Sequence, residues 1–226
     1  MYKELFNVKL QDEMESYFLK KLAPKGKIKV FRKNTIIDPV DSDNIYVFVE
    51  GEGYQTLISS DGKEKLFFNL YRGTIFGEMD YFEEERTCSI TKITKDAKIS
   101  IVNRKTLEEE LLKKPHIYRY FLHSITRKYR LIMVNSADSQ FNDAIGMVAS
   151  FILHMVYLQN NELKNDNSTI MRNITHEEMS LRLGISRTTV TNCINHLKKE
   201  GIISIINRSL KIDDINRLES LRNTYW

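Results

Sequence analysis

Apolar and polar positions along the chain follow three rhythms, and each predicts a different kind of element. From Gln11 to Leu22 the apolar residues recur at helical spacing, and Pro24 and Gly26 close the stretch. From Lys27 to Asn103 the pattern shortens to strand-like runs, IKVF, NIYVFVEG, GYQTLIS, EKLFFNL, CSITKIT and AKISIVN, separated by turn residues. SSDG at Ser59 to Gly62 predicts a hairpin turn, and Gly51, Gly53, Gly73 and Gly77 predict other corners. Many short strands at close spacing predict a small antiparallel barrel or jelly roll. Helical spacing then returns, with a brief helix over Thr106 to Leu112, a stop near Pro115, and a long helix from about His116 to Ser139. In that helix Tyr118, Leu122, Ile125, Tyr129 and Ile132 step by four, three, four and three, the spacing of a coiled-coil seam that Ser136 and Ser139 continue weakly. A lone helix packed on a sheet shows the same stripe. SADSQFND, Ser136 to Asp143, interrupts it and predicts a boundary or hinge.

The next pattern carries the chemistry. ITHEEMSLRLGISRTTVTNCINHLKKEGI, Ile174 to Ile202, predicts two crossed helices joined by a tight turn. Thr175 followed by Glu178 is a capping box, Gly184 suits the turn, Ser186 caps a second helix running to about Lys199, and Gly201 ends it. Met179, Leu183, Ile185, Val190, Cys193 and Leu197 fall where the two helices bury apolar groups, and Ser180 is small where they approach most closely. Arg187, Thr188, Thr191, Asn192 and Asn195 are left outward, a hydrogen-bonding face with almost no carboxylate. IISII and SLKI, flanking Asn207 and Arg208, predict a two-stranded wing, and Leu218 to Tyr225 a short closing segment. A helical hairpin with a merely wet face is the bland alternative; two caps, the turn glycine and the apolar spacing in one frame favour DNA. DNA-reading hairpins usually act as two-fold pairs, which favours dimerisation through the seam.

Composition changes this picture little. The 226 residues suffice for two modest cores, and 42% hydrophobic with 28% charged residues indicates a folded chain. The net charge of +4 is mild, yet Arg187, Lys198, Lys199, Arg208 and Lys211 face the single Glu200 between Arg187 and Lys211, which suits phosphate contacts. Cys88 and Cys193, the two cysteines, cannot supply a four-cysteine iron–sulfur site within one chain. No histidine precedes His116, so the strand region lacks imidazoles for a metal site or for haem; no metal, haem or iron–sulfur cluster is expected, and an enzyme is disfavoured. His123, His154, His176 and His196 read as caps, surface or packed residues. Met1 to Gln11 has no apolar signal region, and AIGMVASFILHMVYL, Ala144 to Leu158, reads as a buried helix and not a membrane span. A cytoplasmic protein follows from these.

Barrel, long helix, hinge, helix-turn-helix and wing, in that order, resemble the cyclic-AMP receptor protein and fumarate–nitrate regulator (Crp/Fnr) family. The most specific parts are VEGEGYQTLISSDGKEKLFFNLYRGTIFGEMDYFEEERT, Val49 to Thr87, and LGISRTTVTNCINHLKKEGII, Leu183 to Ile203. The resemblance implies a homodimeric, sequence-specific transcription regulator in which an N-terminal sensor changes the spacing of two C-terminal DNA readers. It implies an α+β chain in three parts: a β-roll sensor over 1–115, a dimerisation helix over 116–139, and a winged helix-turn-helix over 140–226. Double-stranded DNA with two-fold half-sites and a second copy of the chain are the implied partners, with RNA polymerase a further candidate.

By the same resemblance, Arg187 takes the recognition-helix position that donates to a guanine edge and a phosphate. Thr188 stands where the family's cyclic-AMP receptors carry glutamate, and Asn192 where they carry a second arginine, which implies a half-site richer in A·T. Thr188 or Thr191 would touch a thymine methyl, Asn195 lies on the same face, and Ser186, Lys198 and Arg208 would hold the backbone. Phe76, Gly77 and Glu78, with Arg86 and Thr87, resemble the family's phosphate-binding cassette, which implies a cyclic nucleotide or other small effector. The segment between Glu78 and Arg86 is about two residues shorter than in the cyclic-AMP receptors. Tyr129, Ile132 and Met133 on the long helix would line that pocket, although Ile132 and Met133 replace the hydroxyls that hold adenine. The competing reading makes the cassette a barrel corner in which Arg86 pairs with a nearby Glu. A cyclic-nucleotide-binding regulatory subunit acting on a protein partner is the alternative function.

Overall fold

A computed structural model describes residues 7–38, 43–160, 170–171, 174–207 and 209–223. It divides into two compact units, one over Asn7–Tyr129 and one that includes Arg130–Trp226. Each is built around its own apolar core.

The first unit opens with α1 (Val8–Tyr17), whose first turn is capped by Asn7 accepting from the Leu10 N–H. The helix widens over Phe18–Leu22, tightens over Ala23–Lys25 and ends at Gly26. Then come β1 (Lys27–Phe31), β2 (Ile36–Ile37), β3 (Asn44–Ile58), β4 (Glu64–Leu70), β5 (Ile75–Phe76), the short α2 (Glu78–Glu83) and β6 (Ile90–Asn103). They form one six-stranded antiparallel sheet with the path β1-β6-β3-β4, while β2 pairs with β6 and β5 with β3. That path does not close on itself, so the jelly-roll alternative describes it and a closed barrel does not.

The sequence rhythm predicts one strand on either side of Gly51–Gly53 and one on either side of Lys95–Asp96; each pair is one long strand. Pairing between β3 and β6 runs from Asn44↔Asn103 to Thr56↔Ile90 and crosses three register shifts, at Phe48/Glu50, Glu50/Glu52 and Glu52/Gly53. Bulges absorb the turn residues without ending the ladder. Gly51 makes the closest approach possible: its φ is +88°, and a Cβ there would lie 2.5 Å from the Ala97 Cα. Over Ile45–Phe48 β3 is buried on both faces, which explains the unbroken apolar run there. Tyr46 and Phe48 join Phe76, Ile93 and Ile99 on one side, while Ile45 and Val47 meet Phe18, Leu107 and Phe121 on the other. Tyr46 stacks on Phe76 with centroids 4.5 Å apart, worth about 1 kcal/mol beyond its buried area.

Two further helices follow, α3 (Arg104–Lys113), capped by Asn103, and α4 (Tyr118–Phe141), which runs without interruption through Ser136 and breaks only at Asn142–Asp143. The second unit contains α5 (Ala144–Asn160), β7 (Ile170–Met171), α6 (His176–Leu183), α7 (Arg187–Lys199), β8 (Ile203–Ile206), β9 (Ser209–Ile212) and α8 (Ile215–Ser220). Its core joins Val148, Ile152 and Val156 of α5 to Met179, Val190, Ile194 and Leu197. The wing is a three-stranded sheet, β7-β9-β8, and not the two-stranded ribbon the sequence predicts. Among the described residues no helix is long and apolar enough to cross a membrane.

Glu110 on α3 ties the first unit together. Its carboxylate lies 2.7 Å from Lys114 Nζ and 2.9 Å from Lys25 Nζ, and accepts from the Tyr17 hydroxyl at 3.2 Å. The bonds from Lys114 and Lys25 hold its pKa at about 2, below the ordinary 4.5. A depressed carboxylate contributes stability that is complete above pH 4.5 and disappears as pH falls toward 2. In urea unfolding followed by circular dichroism, Glu110→Gln is therefore expected to be less stable than wild type above pH 4.5 and to converge with it toward pH 2. A constant gap across that window would show that Glu110 acts through packing and not through its charge.

Candidate nucleic-acid interface

The geometry of α6 and α7 follows from local chemistry at four positions. Thr175 Oγ1 accepts from the Glu178 N–H at 3.0 Å, so α6 starts where the capping signal lies. The reciprocal half of the box is absent: Glu178 instead accepts from Arg182 at 3.1 Å. Gly184 ends α6 with φ +72°, a left-handed turn that a Cβ would strain. Ser180 then donates to the Ile185 carbonyl at 2.7 Å, which is why a small hydroxyl suits the closest approach. Ser186 caps α7 by accepting from the Thr189 N–H at 3.0 Å.

The caps set the rotation of α7. Val190, Cys193, Ile194 and Leu197 are buried against α5 and α6, and burial pushes the Cys193 thiol pKa up. Ile194 was not among the apolar positions that the hairpin pattern singled out, although it follows Val190 by one turn. On the opposite face Ser186, Arg187, Thr188, Asn192, Asn195 and Lys198 are exposed. Thr191 is half-buried; its hydroxyl donates to the Arg187 carbonyl and lies 2.9 Å from His176 Nδ1. Arg208 lies outside the described residues. Lys211 pairs with Asp213 at 3.0 Å. At the far end of α7, Arg217 donates to the Glu200 carbonyl at 2.8 Å and pairs with the Glu200 carboxylate at 3.1 Å. That fastening of the helix C-terminus has no local sequence signal, because the partners are 17 residues apart.

The proposed effector residues are dispersed. Phe76 is core, and Gly77, with φ +87°, is the residue from which α2 begins. Glu78 is fully buried, and its Oε1 accepts from Lys128 Nζ at 2.6 Å and from Ser124 Oγ at 2.9 Å. Its Oε2 is buried with no hydrogen-bond partner among the described residues. Lys128 also donates to Gln55 Oε1 at 3.0 Å and to the Ile75 carbonyl at 3.1 Å. Arg86 pairs with Asp38, a carboxylate other than the neighbouring glutamates that the corner reading invokes, and Asp38 raises the guanidinium pKa. The Thr87 N–H donates to Asp80, and its hydroxyl meets that of Ser89 at 3.1 Å. Tyr129 is exposed, and Ile132 and Met133, exposed as well, belong to the second unit. Sequence reasoning missed Ser124, Lys128 and Gln55. The available signal was the four-residue step from Ser124 to Lys128, which puts both on one helix face.

Comparisons with known proteins bear on both units. Residues 147–221 match the family model described as a Crp-like helix-turn-helix domain. The chain is 28% identical over 177 residues, 78% of each protein, to the CRP-like cAMP-activated global transcriptional regulator of Mycobacterium tuberculosis. It is 23% identical over 190 residues, 83% of this chain and 78% of the relative, to the anaerobic regulatory protein of Bacillus subtilis. Among solved structures, a CooA mutant from Carboxydothermus hydrogenoformans superposes with a TM-score of 0.78 at 19% identity, covering 92% of this chain and 94% of that one. FixK2 from Bradyrhizobium japonicum gives 0.72 at 19% identity, covering 89% and 99%.

Proposed function

The chain belongs to the Crp/Fnr family of DNA-binding transcription regulators, and from that premise we propose that it acts as a homodimer reading two half-sites of double-stranded DNA through α7. One observation carries this reading: α7 buries one face in the core and turns Arg187, Thr188, Asn192 and Asn195 outward. The guanidinium fork of Arg187 matches guanine O6 and N7, and the Asn192 amide suits adenine. Ser186 and Lys198, with Arg208, hold phosphates and carry no sequence information. A half-site richer in A·T than that of the cyclic-AMP receptors follows, because glutamate and arginine positions carry Thr188 and Asn192. A regulatory subunit acting on a protein partner is not favoured by a chain whose relatives are transcription regulators.

The seam of α4 supports the second copy. Leu122 and Tyr129 are each 62% exposed, and Tyr118, Ile132 and Met133 are exposed beside them on the same helix. Such a stripe along a helix of 24 residues suits a two-stranded coiled coil.

In this reading the sheet unit is the regulatory half: the Gly77 backbone, Arg86 and Thr87 would hold a small anionic effector once Arg86 leaves Asp38, with Glu78 buried at Lys128. An exposed pair such as Arg86–Asp38 is worth only ~0–1 kcal/mol and yields readily to a phosphate. Glu78 Oε2 retains acceptor capacity for a ligand hydroxyl.

Arg187→Ala is expected to lose about 1–3 kcal/mol of discrimination at one base pair, read by binding-site selection and salt-dependent gel shift. Unchanged base preference at every position would remove Arg187 from the reading role. Sedimentation should give the two-chain mass for wild type and the one-chain mass for Leu122→Glu/Tyr129→Glu with its circular dichroism preserved; a monomeric wild type would refute the seam. Calorimetry with cyclic AMP is expected to give heat that Arg86→Ala removes. No heat at millimolar nucleotide would eliminate cyclic AMP as the effector.

A further inference from the structure

The helix-turn-helix contains a side-chain relay that the reading of α7 leaves unused. Thr191 Oγ1 donates to the Arg187 carbonyl, one turn earlier on α7, at 2.9 Å. The same oxygen lies 2.9 Å from Nδ1 of His176, the first residue of α6. A hydroxyl has one proton, and a carbonyl can only accept it. The second contact therefore runs the other way, with the His176 Nδ1–H donating to Thr191 Oγ1. This places a proton on Nδ1 from the bonding pattern alone.

The relay also fixes which part of Thr191 meets a ligand. A threonine within a helix divides between two χ1 wells, and a second bond arriving from α6 selects one of them. With its oxygen turned to Arg187 and His176, Thr191 has its γ-methyl left to present. In the major groove the complementary apolar group is the C5-methyl of thymine, which no other base carries. Thr188, exposed at the start of α7, is under no such constraint among the bonds described for it.

We propose that Thr191 reads thymine through its methyl group and that His176 is the positioning residue that keeps the methyl, and not the hydroxyl, facing the base. This rests on the reading that α7 lies in the major groove. Burying one methyl against another corresponds to about a fourfold change in affinity.

The test removes a single methyl from the DNA. After in vitro selection of a site with the full-length wild-type chain, each thymine of a half-site is replaced in turn by deoxyuridine. One position is expected at which replacement weakens wild-type binding about fourfold. Thr191→Val, which keeps the methyl, should retain that penalty; Thr191→Ser, which keeps the hydroxyl, should lose it. His176→Ala should lose most of it, and His176→Asn, whose amide N–H reaches the place of Nδ1, should restore it. A merely structural role for His176 would weaken binding at all sites equally and leave the uridine penalty intact, which overturns the proposal. So would a wild type indifferent to every uridine, or a penalty that survives Thr191→Ser. If no salt-dependent DNA binding is found at all, the groove reading itself fails and takes this proposal with it. Indifference to uridine in a protein that still selects a sequence refutes the proposal alone.

Discussion

Lys128 fixes how the long helix lies on its sheet, and much of the functional reading follows from that. Its ammonium has three protons and three acceptors, one from the start of α2, one from β3 and one from β5. Saturating all three allows one rotation of α4 against the first unit. Phe121 and Ser124 then face inward with Lys128, and Tyr118, Leu122 and Tyr129 face outward. The exposed seam is thus the geometric complement of a buried ion pair. Because the pair is buried, it behaves as a unit: removing Lys128 alone leaves the Glu78 carboxylate uncompensated, a change that typically costs about 3–5 kcal/mol.

The second unit solves a different problem, the presentation of a short rod at fixed orientation. Ser186 holds one end of α7 and Arg217 the other, so a helix-terminal group at each end finds a side-chain partner. Between them Val190, Ile194 and Leu197 sink into the core at helical spacing. Rigidity at both ends and along one face lets side chains on the opposite face carry directional information, since a reader that pivots cannot discriminate by hydrogen-bond geometry.

The parts read correctly from sequence are those whose causes are local. Thr175, Gly184 and Ser186 act within four residues of themselves, and each sits where its chemistry requires. The end of α1 at Gly26 and the hairpin at Ser59–Gly62 belong to the same class. What escaped depends on partners distant in the chain. The continuity of β3 and β6 is decided by each strand's register with the other, which Gly51 and Lys95 conceal. β7 is two residues long, too short for any alternation to show, and exists because β9 offers an edge. Lys128 and Ser124 meet Glu78 from 50 and 46 residues away, and Gln55 meets Lys128 from 73, distances across which no local pattern pairs them. Ile194 is the instructive local miss: it lies between the Cys193 and Asn195 positions, and only the full width of the apolar stripe includes it.

Charge pairing narrows how the chain can recognise DNA. A protein that depends on electrostatic attraction alone needs many unpaired cations along one surface, and its affinity then falls steeply with salt. Here the net charge is only +4, and near α7 Lys211 is matched by Asp213 and Arg217 by Glu200. The outward face of α7 itself carries hydroxyls and amides, with Arg187 near its N-terminal end and Lys198 near its C-terminal end as cations. Such a face offers phosphate a few cations, not a continuous basic surface, so general attraction alone gives it little discrimination. If α7 reads DNA as proposed, orientation matters more than charge, and the bonds from Ser186 at the cap to His176 against Thr191 are the ones that set it.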